Sequence, residues 1–341
     1  MQPELTGAKC WHLVPLPNVV SPGTNEPCMH KVTRWRIVQG IAAVVLLYFL
    51  VQHFLAVWAK AESQQIQWAF HWEFIIASFI VTWAMYGVLI WGWRTILEGW
   101  REWLRIVDAA RIWTVSNLGT FVPGGVWAIA GMAVMAQQRG VSGAAATGSA
   151  IVMQLVSLAT GVILAIALVG TPLLDRVLGD WGTIAGIAIA TCTLIGAISL
   201  TSPSLTRRIG FVIGRPDLIR PVDPGALAGA IMANLVAWSG YGIALQLLAL
   251  GTVGGVSLSW SVATGAFAAS YVAGYVVFIL PGGLFIREGV MAVILTSTGV
   301  PAPSAFALVA ASRVILTINQ VGAALPFLLF RSKPSDINKP A

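Results

Sequence analysis

Three charged side chains stand inside sequence that is otherwise apolar enough to lie in a membrane. Arg287 and Glu288 fall within the apolar stretch 258–298, and Arg313 within the apolar run 303–330. A charge near the middle of a bilayer costs about 2.5 kcal/mol or more even on the most lenient insertion scale, so it needs a partner, water or a ligand. Adjacent helical residues point about 100° apart. Arg287 and Glu288 therefore cannot both face lipid, they pair awkwardly with each other, and each is expected to reach a different neighbour. Guanidinium groups hold phosphate or carboxylate through forked hydrogen bonds. Arg287 and Arg313 together would make an anion site, with Glu288 balancing the arginines or accepting a proton as a coupling ion. The competing reading is an internal ion-pair lattice that only fixes helix packing.

Two Pro-Gly-Gly breaks could complete such a site: Pro123, Gly124 and Gly125 in the stretch 112–138, and Pro281, Gly282 and Gly283 in the stretch 258–298. Proline lacks an N–H and clashes with the preceding turn, and glycine adds freedom, so neither stretch reads as one continuous helix. Hydrocarbon cannot satisfy the backbone groups that a break frees, so each break must face protein or a wet cavity. The half-helix that follows it presents a partial positive charge suited to an anionic group. Only the second break carries charged residues, which puts the expected anionic group nearer Arg287 and Arg313. Asn117, Gln154, Asn234, Asn319 and Gln320 also fall in or beside apolar runs. Singly they read as interhelical hydrogen-bonding groups. Asn117, just before the first break, and Gln154 are kept as candidate substrate contacts.

The elements that must position these residues are membrane helices. The chain is 57% hydrophobic and 10% charged, against about a quarter charged in soluble domains, which excludes a soluble fold. Full spans of the length a bilayer requires are expected at 38–59, 72–93, 144–168, 181–201, 225–249 and 303–330, giving an all-α polytopic protein with six crossings and two broken re-entrant hairpins. If each broken stretch returns to the side it came from, sixteen of the 20 basic residues share one side with both termini, and the other side keeps only Lys60 and Arg176. The positive-inside rule makes that side cytoplasmic and the protein an inner-membrane one. Residues 93–111 are expected to lie flat on the inner leaflet, with Trp93, Ile96, Leu97, Trp100, Leu104 and Val107 on the apolar face. Trp58, Trp72, Trp91, Trp93 and Trp181, near span ends, read as interface anchors.

The broken stretches resemble each other. At an offset of 158, Pro123-Gly-Gly-Val-Trp-Ala-Ile-Ala-Gly131 aligns with Pro281-Gly-Gly-Leu-Phe-Ile-Arg-Glu-Gly289, and after one residue of slippage Gly140-Val141-Ser142 aligns with Gly299-Val300-Pro301. With that slip Gln154 falls opposite Arg313. Entering from opposite faces, the two copies form an inverted repeat, the arrangement of many transporters whose sites lie where the breaks meet.

The remaining chemistry is sparse. Three cysteines give no disulfide framework or Cys-x-x-Cys pattern. The tail 1–36 is polar and proline-bearing, a disordered lead-in without a cleavable signal. Its Cys10-Trp-His12 and Cys28-Met-His30 are spaced too tightly for a metal site, and no metal or cofactor is expected. No Asp-x-Asp, Ser/His/Asp set or nucleophilic cysteine is visible, so an enzyme is not expected. The basic residues sit between spans and do not form a nucleic-acid surface.

Leu280-Pro-Gly-Gly-Leu-Phe-Ile-Arg-Glu-Gly289 ahead of an arginine-bearing last span, and Ser116-Asn-Leu-Gly-Thr-Phe-Val-Pro-Gly-Gly-Val-Trp127 earlier, resemble the flippase-like family called the lysylphosphatidylglycerol synthase transmembrane region, over roughly residues 35–330. The resemblance implies a membrane domain, 37–331, that moves a phospholipid or lipid-linked anionic substrate between leaflets. A short cytoplasmic tail, 332–341, follows it in place of an aminoacyl-transferring domain, so lysyl transfer is not expected. The chain departs from many relatives at Ala128, Ile129 and Ala130, where they carry charged residues. The alternative function is a membrane-embedded glycosyl or lipid transferase, or an accessory scaffold of envelope lipid or polysaccharide assembly. A homo-oligomer or a partner transferase would fit either reading.

Overall fold

The computed structural model describes residues 68–122, 126–170, 179, 181–199, 201–212, 220–276, 283 and 285–329. Their regular structure is helical. The helices are α1 (Trp72–Gly99), α2 (Ile106–Asn117) running into a 3-10 turn (Leu118–Phe121), α3 (Trp127–Gln137), α4 (Gly143–Val169), α5 (Gly182–Ser199), α6 (Pro203–Val212), α7 (Pro224–Thr252), α8 (Trp260–Val276), α9 (Ile286–Ser297) and α10 (Ala302–Leu329). Among the described residues, α1, α4, α7 and α10 are long and apolar enough to cross a membrane. They fall on four of the six expected spans. The span expected at 181–201 is α5, whose apolar run Gly182–Gly196 is shorter than a full crossing. The span expected at 38–59, the tail 1–36 and the segment 332–341 lie outside the described residues.

One order of elements occurs twice. Helices α1 to α4 run long, short, short, long, with 28, 12, 11 and 27 residues, and α7 to α10 repeat this with 29, 17, 12 and 28. The unit therefore begins one helix earlier than the sequence match suggested, and α5 and α6 separate the two copies. The turns inside the copies share their main bonds. Gly140 and Gly299 take φ of +87° and +95°, a left-handed conformation in which glycine is unstrained. The next amide then reaches back to the helix that has just ended, Val141 N to Ala136 O at 3.2 Å and Val300 N to Leu295 O at 3.1 Å. Ser142 and Pro301 open the long helices by accepting from Ala146 and Ala305, each at 2.9 Å.

Within each copy the two short helices pack side by side, α2 on α3 and α8 on α9. The first chain reversal is tight: a Cβ placed on Gly119 in the 3-10 turn would come within 2.7 Å of Ala128 N. Two apolar cores follow the same division. One joins α1 to α4 with the start of α7, and the other joins α7 to α10 with the end of α4. The first helices of the copies, α1 and α7, pack along one another, and α8 lies against both α4 and α7.

The flat amphipathic segment expected at 93–111 is not present. Helix α1 continues to Gly99, the chain turns at Arg101 with φ of +61°, and α2 starts at Ile106. Trp93, Ile96, Leu97, Trp100 and Leu104 are buried in the first core, and only Val107 of the proposed apolar face is exposed. The face meets protein instead of lipid, because α2, α3 and α7 cover it. Trp93 is likewise no interface anchor: it is fully buried and its indole N–H donates to Ser149 Oγ at 2.9 Å. Trp72, Trp91 and Trp181 are exposed, as anchors should be.

Candidate functional site

Where the two copies meet, the helices enclose a cavity of about 490 Å³. Each break contributes the first turn of the helix that follows it. Val126, Ala128 and Ile129 line the cavity from α3 and its approach, and Gly283 and Arg287 line it from α9 and its approach. Neither helix start has a side-chain cap. Gly283 has φ of +67° and is backed against Gly274 of α8, where an added Cβ would lie 2.7 Å from the Gly274 Cα. That backbone contact brings α9 close enough to α8 for Arg287 to reach the aromatic faces of α8.

Arg287 stacks its guanidinium over Phe267 and Tyr271, 5.0 and 5.3 Å from the ring centroids. Such cation–π contacts orient the group and stabilise it by about 0.5–2 kcal/mol, but leave its hydrogen-bonding edge free for an acceptor. It is only half-buried because it faces the cavity. Glu288 points elsewhere, toward Arg313 of α10, with Oε1 3.5 Å from Nε. The two adjacent charges thus reach different neighbours, as their helical spacing required. Both carboxylate oxygens of Glu288 are buried without a hydrogen bond, so its charge is compensated by Coulombic attraction alone, from Arg313 at 3.5 Å and from the adjacent Arg287.

Arg313 lines the cavity on the side of the second copy, and Gln154, its counterpart in the first copy, lines it too. Asn117 is on the wall as well, joined by Asn234 and Gln320. Asn234 and Asn319 also bond their own helices, donating to Ala230 O and Ile315 O at 2.9 Å each. Asn319 is fully buried and is not a wall residue. Of the sequence-derived candidates, Arg287, Arg313, Asn117, Gln154 and Gly283 therefore converge on one cavity, and Glu288 stands behind Arg313. Pro123, Gly124, Gly125, Pro281 and Gly282 lie outside the described residues.

The aromatic part of the wall was not anticipated. Tyr86, Tyr241, Tyr271 and Tyr275 are four of the chain's five tyrosines, and all line the cavity. Trp113, Trp238 and Phe267 join them. Tyr241 stacks on Phe267 with centroids 5.0 Å apart, and Trp238 meets Tyr271 edge-on at 5.2 Å. A signal was available, since Phe267, Tyr271 and Tyr275 recur every four residues and share one face of α8. Among the described residues no carboxylate lines the cavity, and no cluster of His, Cys, Asp or Glu could hold a metal ion.

The chain matches the family model described as "Lysylphosphatidylglycerol synthase TM region" over residues 36–323. A search of the curated proteins found no match.

Proposed function

The chain belongs to the lysylphosphatidylglycerol synthase TM region family, and from that premise we propose that this integral membrane protein moves a lipid with an anionic head group between leaflets. One observation carries the reading: the helix starts that follow both breaks, one from each copy, line a single cavity that also holds Arg287. A guanidinium and two helix N-termini without side-chain caps, facing one cavity, are suited to a phosphate. The long, short, short, long order of both copies supports an inverted repeat whose short helices are re-entrant. The bias of basic residues supports cytoplasmic termini in an inner membrane. Transport is taken to be non-covalent, with the lipid as the partner. Arg287, Arg313, Gln154 and Asn117 would contact the head group, and Glu288 would hold Arg313 in place.

The test is reconstitution into liposomes carrying trace fluorescent phosphatidylglycerol, with dithionite bleaching of the outer leaflet as the readout. The protein is expected to expose inner-leaflet probe, and Arg287→Ala and Arg313→Ala are each expected to slow this about tenfold or more, the loss of at least one charge-assisted contact. Unchanged rates in both variants would overturn the site. No movement of any lipid would overturn transport and leave the scaffold reading.

A further inference from the structure

Four cavity-wall groups carry more information than their charge. Trp113 Nε1 and Gln154 Nε2 are buried and have no hydrogen-bond partner, although both residues line the cavity. One of the two N–H groups of the Gln154 amide can point at the neighbouring Tyr271 hydroxyl, and the second is left for an acceptor. Arg287 adds a guanidinium held by ring faces, with no carboxylate in contact. Arg313 is the other cation on the wall, and its charge is balanced by Glu288. An indole N–H, an amide NH2 and a guanidinium without a salt-bridged carboxylate are all donors. The buried, unpartnered acceptors, both Glu288 oxygens and Asn319 Oδ1, belong to residues off the wall. A buried donor without a partner costs about 1–3 kcal/mol, so a ligand that supplies acceptors recovers that loss.

We infer that the cavity selects a head group made of acceptor oxygens with a single negative charge, a phosphodiester bearing a polyol or sugar, and rejects head groups that carry an ammonium. This rests on the reading that the cavity receives a lipid head group. The division of labour follows from position. Arg287, from the second copy, takes the phosphate, while Trp113 and Gln154, from the first, take hydroxyl oxygens beyond it. The volume of about 490 Å³ lies in the range of sites for whole small molecules, which leaves room for both parts. An ammonium would bring a second positive charge beside the Arg287 guanidinium, and among the described residues no carboxylate on the wall could receive it. Arg287 already occupies the Phe267 and Tyr271 faces, so a second cation drawn to them would meet its charge.

The experiment measures binding, not transport. The full chain in detergent is titrated with dioctanoyl lipids and the bound fraction read by native mass spectrometry. The probes are phosphatidylinositol, phosphatidylglycerol, phosphatidic acid, phosphatidylethanolamine and lysyl-phosphatidylglycerol. Phosphatidylinositol and phosphatidylglycerol are expected to bind about tenfold or more tightly than the two ammonium-bearing lipids. Trp113→Phe and Gln154→Leu should each weaken the polyol lipids about three- to tenfold, the loss of one buried hydrogen bond, and leave phosphatidic acid unchanged. Arg287→Gln should weaken all three anionic lipids alike. A thermal melt of each variant separates lost contacts from lost fold. Equal binding of an ammonium-bearing lipid, no binding of any probe, or losses in Trp113→Phe and Gln154→Leu that extend equally to phosphatidic acid would overturn the inference. Selective binding without lipid movement in liposomes would leave it standing and overturn only the transport proposal.

Discussion

Deleting Glu288 separates a structural ion pair from a bystander. Its Oε1 lies 3.5 Å from Arg313 Nε, and the two side chains are 13% and 15% exposed. At that distance and an effective dielectric constant near 20, the attraction is about 5 kcal/mol. Most of it offsets the cost of taking both charges out of water. Removing one partner of a buried pair costs about 3–5 kcal/mol, since the other is left uncompensated. The low end applies here. Neither Glu288 oxygen has a hydrogen bond to lose, and Arg313 borders the cavity, where water can replace part of the missing partner. Glu288→Leu is therefore expected to destabilise the protein by about 3 kcal/mol. Glu288→Leu combined with Arg313→Met should lie at least about 2 kcal/mol above the sum of the single effects, because the second substitution removes the charge that the first stranded. The assay is reversible unfolding in mixed micelles of increasing dodecyl sulfate content, followed by helical circular dichroism. A cost below about 1 kcal/mol for Glu288→Leu, or single effects that simply add, would refute the assignment of the pair as a unit.

Two further outcomes test the fold by the same assay. Gly242 of α7 lies so close to α8 that a Cβ would fall 2.0 Å from Thr264 Oγ1 and 2.7 Å from its Cα; Gly242→Ala should cost about 1–3 kcal/mol by overpacking, and Thr264→Ala should rescue it only in part because the backbone contact remains. Arg101 is an exposed non-glycine residue at φ of +61°, so Arg101→Gly should raise stability by about 0.5–1 kcal/mol through relief of left-handed strain, where a loss would mean that the arginine makes a compensating contact.

The charged half of the site was legible because a charge in an apolar run is conspicuous and helical spacing fixes where its neighbours can be. Arg287 and Glu288 had to diverge, and they do. The Gln154 and Arg313 correspondence was also legible, since the Gly140 and Gly299 turns set the register. The aromatic wall was not. Tyr271 or Trp238 in an apolar helix looks the same in sequence whether it faces lipid, core or cavity, and only tertiary packing decides. Residues 93–111 failed for a related reason: amphipathic spacing reports that one face avoids water, not whether lipid or protein covers it. The extra helix in each repeat escaped notice because α1 and α7 correspond in length and place but share no Pro-Gly-Gly signature.

The seam between α1 and α7 restricts how this molecule can move. A Cβ on Gly92 would come within 2.6 Å of the Ala233 Cβ, and one on Gly240 within 2.1 Å of the Met85 sulfur. Pivoting one half of the protein against the other about this seam would pull apart its closest packing, with little side chain available to slide into the gap. The pair therefore forms a spine, to which Gly242 against Thr264 also fastens α8, so that displacement would fall to the short helices α2, α3 and α9. A cross-link placed between α1 and α7 should be mechanically silent, whereas one that ties α3 to α9 should stall any cycle the protein performs.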